Sequence, residues 1–312
     1  MVFLHAVGSI LTVVLMFMTG YFMTAAGWLD DRTSDTFSRI ILNVSLPCYM
    51  LYNIVSNFDR ARLEQLSGGL IVPVLSIGIT YLIGVAASNL LHVGEGRKGI
   101  FRSVFFTSNT IFIGLTVNLS LFGEKSTPYV LLYYIVNTTF FWTIGNYEIS
   151  RDGPGAHSQA FFSRSTLKKI VSPALGGFLV ALILVLIGIK LPSFILDACR
   201  DIGGMTTPLA MLFIGIVLRS VKLRELKLDR EILVLVAARF LICPLTVIAL
   251  EHFIKLPPLM AKVFVIQSAM PAMTSTGVVA KGYGADYEFG TVVTVITTIM
   301  GMIAIPIYMC VI

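Results

Sequence analysis

The sequence consists almost entirely of ten apolar runs, each about as long as a helix that crosses a lipid bilayer. Only 13% of its 312 residues are charged, whereas a soluble domain has about 25%. The composition therefore predicts an all-α integral membrane protein with ten transmembrane helices. The predicted spans are residues 5–28, 34–57, 68–92, 100–122, 127–149, 169–189, 193–218, 230–252, 258–281 and 287–311.

The basic residues lie mainly in the short connections, and they predict the orientation of the chain. Of the 23 Lys and Arg residues, 14 fall in connections or near span ends on one side, which we expect to be cytoplasmic, and 6 on the other. Both termini are then outside, in a multi-pass protein of the cell membrane. Because this distribution accounts for the net charge of +6, nucleic-acid binding is not expected. The four cysteines sit in apolar runs without metal-ligand spacing, so neither a metal site nor a cofactor is predicted.

The two halves of the chain match at an offset of 161 residues, which for example places Pro208 opposite Pro47. Each half has five predicted spans, and because five is an odd number the halves must enter the membrane in opposite orientations. The predicted organisation is a first five-helix repeat at 1–149, a cytoplasmic linker at 150–168 and a second, inverted five-helix repeat at 169–312.

Polar residues, proline and glycine interrupt the fourth and ninth spans at corresponding places in the two halves. Both interruptions lie where lipid offers no water, so a freed backbone must face protein or an aqueous cavity. We therefore expect spans 4 and 9 to be broken and crossed, with helix N-termini directed at one midplane site that favours an anion. Pro271 and Gly114 are expected to hold the backbone open. The predicted substrate-binding residues are Asn109, Thr110, Gly114, Thr116, Gln267, Ser268, Pro271, Thr274, Ser275 and Arg239.

Simpler explanations of these residues stay open. Single serine and threonine residues also let membrane helices pack closely and hydrogen-bond to each other. Arg239 lies about 13 Å into the eighth span if that span is helical. There it could attract an organic anion, or it could instead snorkel to the membrane interface or bind the C-terminus of a helix. No Asp or Glu lies near the middle of a span, so a proton relay is not evident.

Several motifs resemble those of the auxin efflux carrier family. The segment 109–117, Asn-Thr-Ile-Phe-Ile-Gly-Leu-Thr-Val, is similar to the family's fourth-span motif. Met270-Pro-Ala, the segment 280–286 and Ile305-Pro306 resemble spans 9 and 10 of bacterial members. Thr116 stands where the family usually has its crossover proline, so nothing in the sequence forces the break in span 4.

The resemblance covers essentially the whole chain and implies membership of the bile-acid/auxin/arsenite transporter superfamily. It implies a scaffold of spans 1, 2, 6 and 7, which often forms a homodimer interface, and a moving core of spans 3–5 and 8–10. It also implies transport of small organic anions, which are auxins in plants and dicarboxylates in bacteria.

The expected function is secondary transport of a small organic anion, a carboxylate of auxin-like or dicarboxylate type, by alternating access at the crossing of spans 4 and 9. A sodium-coupled carrier of the same fold is the main alternative. An anion channel is a further one, although it would need a polar stripe along several spans. An enzyme is not expected, since the sequence has no Gly-x-Ser-x-Gly motif, no His-Glu-x-x-His motif and no paired intramembrane Asp.

Overall fold

The computed structural model describes residues 15–57, 68–153, 173–220 and 229–311. Within these residues the chain is helical, with short connections and no strands, which confirms the predicted all-α class. The predicted linker at 150–168 and the start of the first span lie largely outside the described residues.

The helices follow the order of the predicted spans, and four pairs of consecutive helices are separated by a π-helical turn. The helices are α1 (Leu15–Ala25), α2 (Asp31–Ile40), α3 (Leu46–Asn57), α4 (Ile71–Leu90), α5 (Lys98–Phe106), α6 (Thr116–Phe122), α7 (Thr127–Phe140), α8 (Asn146–Ser150), α9 (Pro173–Ile187), α10 (Ser193–Gly204), α11 (Thr206–Ser220), α12 (Arg230–Ala237), α13 (Cys243–Phe253), α14 (Pro258–Ser268), α15 (Ser275–Tyr283) and α16 (Tyr287–Val311). The π turns are Ile41–Ser45, Thr110–Leu115, Phe141–Gly145 and Ala238–Ile242.

Four helical stretches of the described chain are long and apolar enough to cross a membrane: Gly68–Leu90, Lys98–Phe122, Arg230–Phe253 and Tyr287–Ile305. Two shorter apolar helices are α1 and α14. These lengths and compositions agree with an integral membrane protein. Ten crossings and an inverted repeat remain predictions.

The chain divides into two compact units. Unit 1 comprises Met1–Gly68, Leu115–Pro128 and Lys168–Val221, and unit 2 comprises Gly69–Gly114, Tyr129–Leu167 and Lys222–Ile312. Within predicted span 4 the chain therefore passes from unit 2 to unit 1 between Gly114 and Leu115, in the π turn that follows α5.

Helices of unit 1 approach each other closely at small residues. A Cβ atom added to Gly203 on α10 would lie 2.6 Å from the Cα of Tyr49 on α3, so only glycine permits this contact. Nearby, the hydroxyl of Ser45 lies 2.6 Å from that of Thr206 and donates to the carbonyl of Ile202 at 2.9 Å. Small side chains and short polar contacts thus join these helices without bulky packing.

The interior of unit 2 is a cluster of apolar side chains from helices α5, α12, α15 and α16 and the π turn after α7. Phe101 and Phe105 on α5 are fully buried in it, with ring centroids 6.1 Å apart. Since lipid tails are as apolar as these side chains, close van der Waals packing stabilises the cluster more than transfer out of water does. The cluster fixes α5 against its neighbours.

Charged groups fasten the N-terminal end of α5 in unit 2. The carboxylate of Asp152 accepts the N–H groups of Gly99 and Ile100 at 2.7 and 2.9 Å and so caps the helix. Burial raises the pKa of the Asp152 carboxyl, and these two hydrogen bonds oppose that rise. Arg102 on α5 forms an ion pair with Glu148 at 3.0 Å. The position and direction of α5 are therefore set at the end opposite to its break.

Candidate functional site

The first interruption lies between α5 and the π turn Thr110–Leu115, where residues 107–109 leave the helix. The buried amide of Asn137 on α7 bonds both backbone groups of Ser108. The Ser108 N–H donates to Oδ1 at 2.9 Å, and Nδ2 donates to the Ser108 carbonyl at 2.9 Å. One side chain thus replaces the hydrogen bonds that a helix would have supplied, and the break forms without a proline.

The second interruption separates α14, which ends at Ser268, from α15, which begins at Ser275. Pro271 has no N–H to donate. The next N–H, that of Ala272, donates to the hydroxyl of Thr297 on α16 at 3.1 Å. Each break is therefore bonded by a polar side chain from the next predicted span along the chain.

The two interruptions meet inside unit 2. The Asn109 N–H donates to the Pro271 carbonyl at 2.8 Å, and Nε2 of Gln267 donates to the Thr110 carbonyl at 3.2 Å. All four residues are buried. The structure thus brings together four of the residues that the sequence assigned to the site, and we call this contact the crossing.

Arg239 binds carbonyl groups at the ends of both interrupted helices. It lies in the π turn between α12 and α13 and is only 1% exposed. Its Nη2 donates to Ser268 at 2.6 Å and to Met270 at 2.9 Å, and its Nε donates to Met270 at 3.1 Å. Its Nη1 donates to the carbonyl of Phe105 at 3.4 Å and to the Cys243 thiol at 3.5 Å. The geometry therefore favours the interpretation in which Arg239 binds the C-terminus of a helix.

Two amide side chains at the crossing have a polar atom without a hydrogen-bond partner among the described residues. These atoms are Nδ2 of Asn109 and Oε1 of Gln267. The Oδ1 atom of Asn109 accepts the Phe112 N–H at 3.1 Å, and this contact orients the amide and leaves its N–H groups available. A buried polar group without a partner costs about 1–3 kcal/mol, so such a group at this place calls for an explanation.

The remaining predicted residues take other positions. The Ser268 hydroxyl donates to the Val265 carbonyl at 2.7 Å, within its own helix. Thr274 and Ser275 are half-buried around the start of α15. Thr116 is the first residue of α6 and belongs to unit 1. The break in span 4 therefore precedes the position of the family's crossover proline by several residues.

Three residues at the crossing had not been assigned to the site from the sequence: Asn137, Thr297 and Cys243. Each is buried inside an apolar helix. The sequence offered the same indication for all three, namely a polar side chain within an apolar span, which must find a partner in the protein. That indication does not identify the partner.

A cavity of about 680 Å³ opens in unit 2 at the N-terminal end of α5 rather than at the crossing. Its lining has acidic and basic side chains in equal number, so the charges balance. Arg102 and Asp152 in its wall already bind other groups of the protein. We therefore do not assign the substrate site to this cavity. Its charged lining residues are Glu95, Lys98, Arg102, Glu148, Arg151 and Asp152.

Gly114 provides a direct test of the crossing. A Cβ atom at this position would lie 2.1 Å from Oε1 of Gln267, so Gly114→Ala must displace that amide and break its bond to Thr110. We expect a loss of about 1–3 kcal/mol in stability and a marked loss of transport. Thermal unfolding and uptake by reconstituted protein would measure both.

Gly78→Ala on α4 is the matched control, because a Cβ atom at Gly78 meets nothing within 4 Å. It should leave stability and uptake unchanged or slightly improved. If the two alanine variants behave alike, Gln267 is not held against Gly114 as described.

The fold and the crossing together define the class of the protein. Interrupted helices that meet at buried polar groups inside an all-helical membrane protein are typical of membrane transporters. A profile described as membrane transport protein matches residues 5–309. The chain belongs to this family, the auxin efflux carrier family, as its motifs had indicated.

Relatives in two archaea cover nearly the whole chain. An uncharacterized transporter of Methanocaldococcus jannaschii is 25% identical over 305 residues, 96% of this chain and 96% of the relative. An uncharacterized transporter of Methanothermobacter thermautotrophicus is 23% identical over 316 residues, 99% of each chain. The protein is therefore a membrane transporter, in agreement with the prediction from its sequence.

Proposed function

We propose that the protein carries a small organic anion, a carboxylate, across the membrane by alternating access. The substrate would bind where the interruptions of spans 4 and 9 meet. The observation that carries this proposal is the buried amide of Asn109, whose Nδ2 has no partner among the described residues. Its two N–H groups are the donors that a carboxylate oxygen accepts.

The charges around the crossing favour an anion. Arg239 forms no ion pair with any described residue, so its buried positive charge is met only by carbonyl groups and a thiol. A buried unpaired charge is costly, and a negatively charged substrate close to it would reduce that cost. Helix α15, which starts at Ser275, adds the partial positive charge of its N-terminus where the second break ends.

Two observations support the inverted repeat on which alternating access depends. Ser45 and Thr206, whose hydroxyls touch, are separated by 161 residues, the same offset that relates the two halves. Contact between a residue and its own counterpart is expected beside a two-fold axis. In addition, the break in each half is bonded by a side chain from the following span, Asn137 in one and Thr297 in the other.

The division of the chain supports a scaffold and a moving core. Unit 1 includes most of predicted spans 1, 2, 6 and 7, and unit 2 most of spans 3, 5, 8, 9 and 10 and the first part of span 4. We propose that unit 2, with the crossing, is the moving part, and that unit 1 is the scaffold, through which two copies associate. Relative motion of two such parts around a fixed site is the common form of alternating access.

The test uses purified protein and a panel of potassium salts: benzoate, indole-3-acetate, malonate and malate. A substrate that binds the folded state should raise the melting temperature in proportion to the logarithm of its concentration. The same anion should then enter proteoliposomes with saturable kinetics.

If no carboxylate stabilises the protein or enters the vesicles, the proposal is wrong. Unitary currents far above the turnover of a carrier would instead indicate an anion channel. Stabilisation by sodium alone, without a carboxylate, would favour the sodium-coupled alternative.

A further inference from the structure

Four carbonyl groups at the crossing have lost the partners that a continuous helix would give them. In an unbroken α5 the Asn109 N–H would donate to Phe105, and in an unbroken α14 the Ala272 N–H would donate to Ser268. Instead, these N–H groups donate to Pro271 and to Thr297. Two freed carbonyls at Phe105 and Ser268, and those of Met270 and Pro271 within the second break, therefore need new donors.

Arg239 supplies the donors for three of these carbonyls. It binds Ser268, Met270 and Phe105, the last of which also accepts from the Cys243 thiol at 3.2 Å. The fourth carbonyl, that of Pro271, accepts from Asn109. The guanidinium group thus joins the end of α5 to the end of α14 from one buried position.

The guanidinium has no donor left over. An arginine side chain has five N–H groups, and the five contacts of Arg239 use Nε once, Nη1 twice and Nη2 twice. A carboxylate at the crossing could therefore interact with its charge, but it could not hydrogen-bond to it without displacing a carbonyl or the Cys243 thiol.

We propose that Arg239 is a tethered cation that holds the two interrupted helices together. It occupies the carbonyl oxygens on which a free cation such as sodium would otherwise bind. In transporters with unwound helices, backbone carbonyls freed by the break coordinate the coupling cation. Here the guanidinium of Arg239 takes the position of that cation. It keeps Asn109 in place and touches no substrate atom. Arg239 is thus a positioning residue, and only its effect on the substrate rests on the proposed function.

The planar fork of arginine is needed for this role. Lysine carries the same charge, but its three donors radiate from a single nitrogen and cannot reach two helix ends at once. Glutamine has two donors and no charge. Both Arg239→Lys and Arg239→Gln should therefore loosen the crossing, although only the second removes the charge.

Hydrogen–deuterium exchange of the ligand-free protein in detergent tests whether Arg239 holds the two interrupted helices together. In both variants the amides of segments 107–110 and 269–272 should exchange at least about ten-fold faster than in the wild type. Amides of α3 in unit 1 should keep their wild-type rates, a local pattern that general destabilisation would not produce. The matched controls are Arg200→Lys and Arg200→Gln, because Arg200 on α10 is half-exposed and forms its ion pairs with Asp197 and Asp201 on the same helix. If the amides of these two segments stay protected in both Arg239 variants, Arg239 does not hold the interrupted helices together and the proposal is wrong.

The wild-type protein tests whether the Arg239 guanidinium occupies the place of a free cation, even if neither variant folds. Its melting temperature should be the same in sodium chloride, potassium chloride and choline chloride at equal ionic strength, because the carbonyls are already bound. Stabilisation by sodium over choline would overturn the proposal. Neither measurement uses an organic anion. The inference about Arg239 can therefore fail while the proposed transport stands, and the proposed transport can fail while the inference stands.

Discussion

Asn109→Asp is expected to remove organic-anion transport while the protein still folds. Aspartate is nearly isosteric with asparagine and keeps the oxygen that accepts the Phe112 N–H at 3.1 Å. It replaces the Nδ2 donor by a negatively charged oxygen, which repels a carboxylate. Loss of one hydrogen bond to a charged group costs about 1.5–3 kcal/mol, which weakens binding by about 10- to 100-fold before repulsion is counted.

The measurement is the affinity of the carboxylate that stabilises the wild type, taken from the melting temperature over a concentration series and from uptake. Asn109→Ala removes both the donor and the acceptor, so it should lose affinity and also some stability. Asn43→Asp is the control, because Asn43 is exposed on the π turn after α2 and lies in unit 1. Wild-type affinity in Asn109→Asp would exclude this amide from the substrate site.

Asn137→Leu should destabilise unit 2 more than any other change we consider. Leucine has the same branching and the same number of side-chain heavy atoms, but it leaves both the N–H and the carbonyl of Ser108 buried without a partner. Each unsatisfied buried group costs about 1–3 kcal/mol, so the expected loss is about 2–6 kcal/mol. Much of the stability of a typical domain would disappear. Thermal unfolding in detergent, monitored as the loss of monodisperse protein, would measure the effect.

Two further variants on α7 make this prediction specific. Asn137→Asp keeps the acceptor for the Ser108 N–H but loses the donor to its carbonyl, so its stability should be intermediate. Thr139→Val removes only a hydroxyl bond to Ile135 within the helix, and it should stay within about 0.5 kcal/mol of the wild type. Equal stability of the Leu and Val variants would mean that Asn137 does not hold the first break.

The sequence was sufficient for the membrane class, the family and the place of both interruptions. Runs of about twenty apolar residues, in a chain with only 13% charged residues, are long enough to span a bilayer, so the class followed from composition. A proline and a group of polar residues inside such a run require the helix to open and its backbone to be satisfied by protein. This reasoning led to Asn109, Gln267 and Pro271, which the structure brings into contact.

The sequence by itself could not determine which groups satisfy the opened backbone. Asn137, Thr297 and Arg239 lie on different helices from the carbonyl and N–H groups that they bind, 29, 25 and up to 134 residues away. Apolar helices in lipid have few features that distinguish one packing partner from another, so the pattern requires a donor without naming it. Only the tertiary structure decided that Arg239 binds the ends of two interrupted helices and that Asn109 keeps one amide nitrogen free.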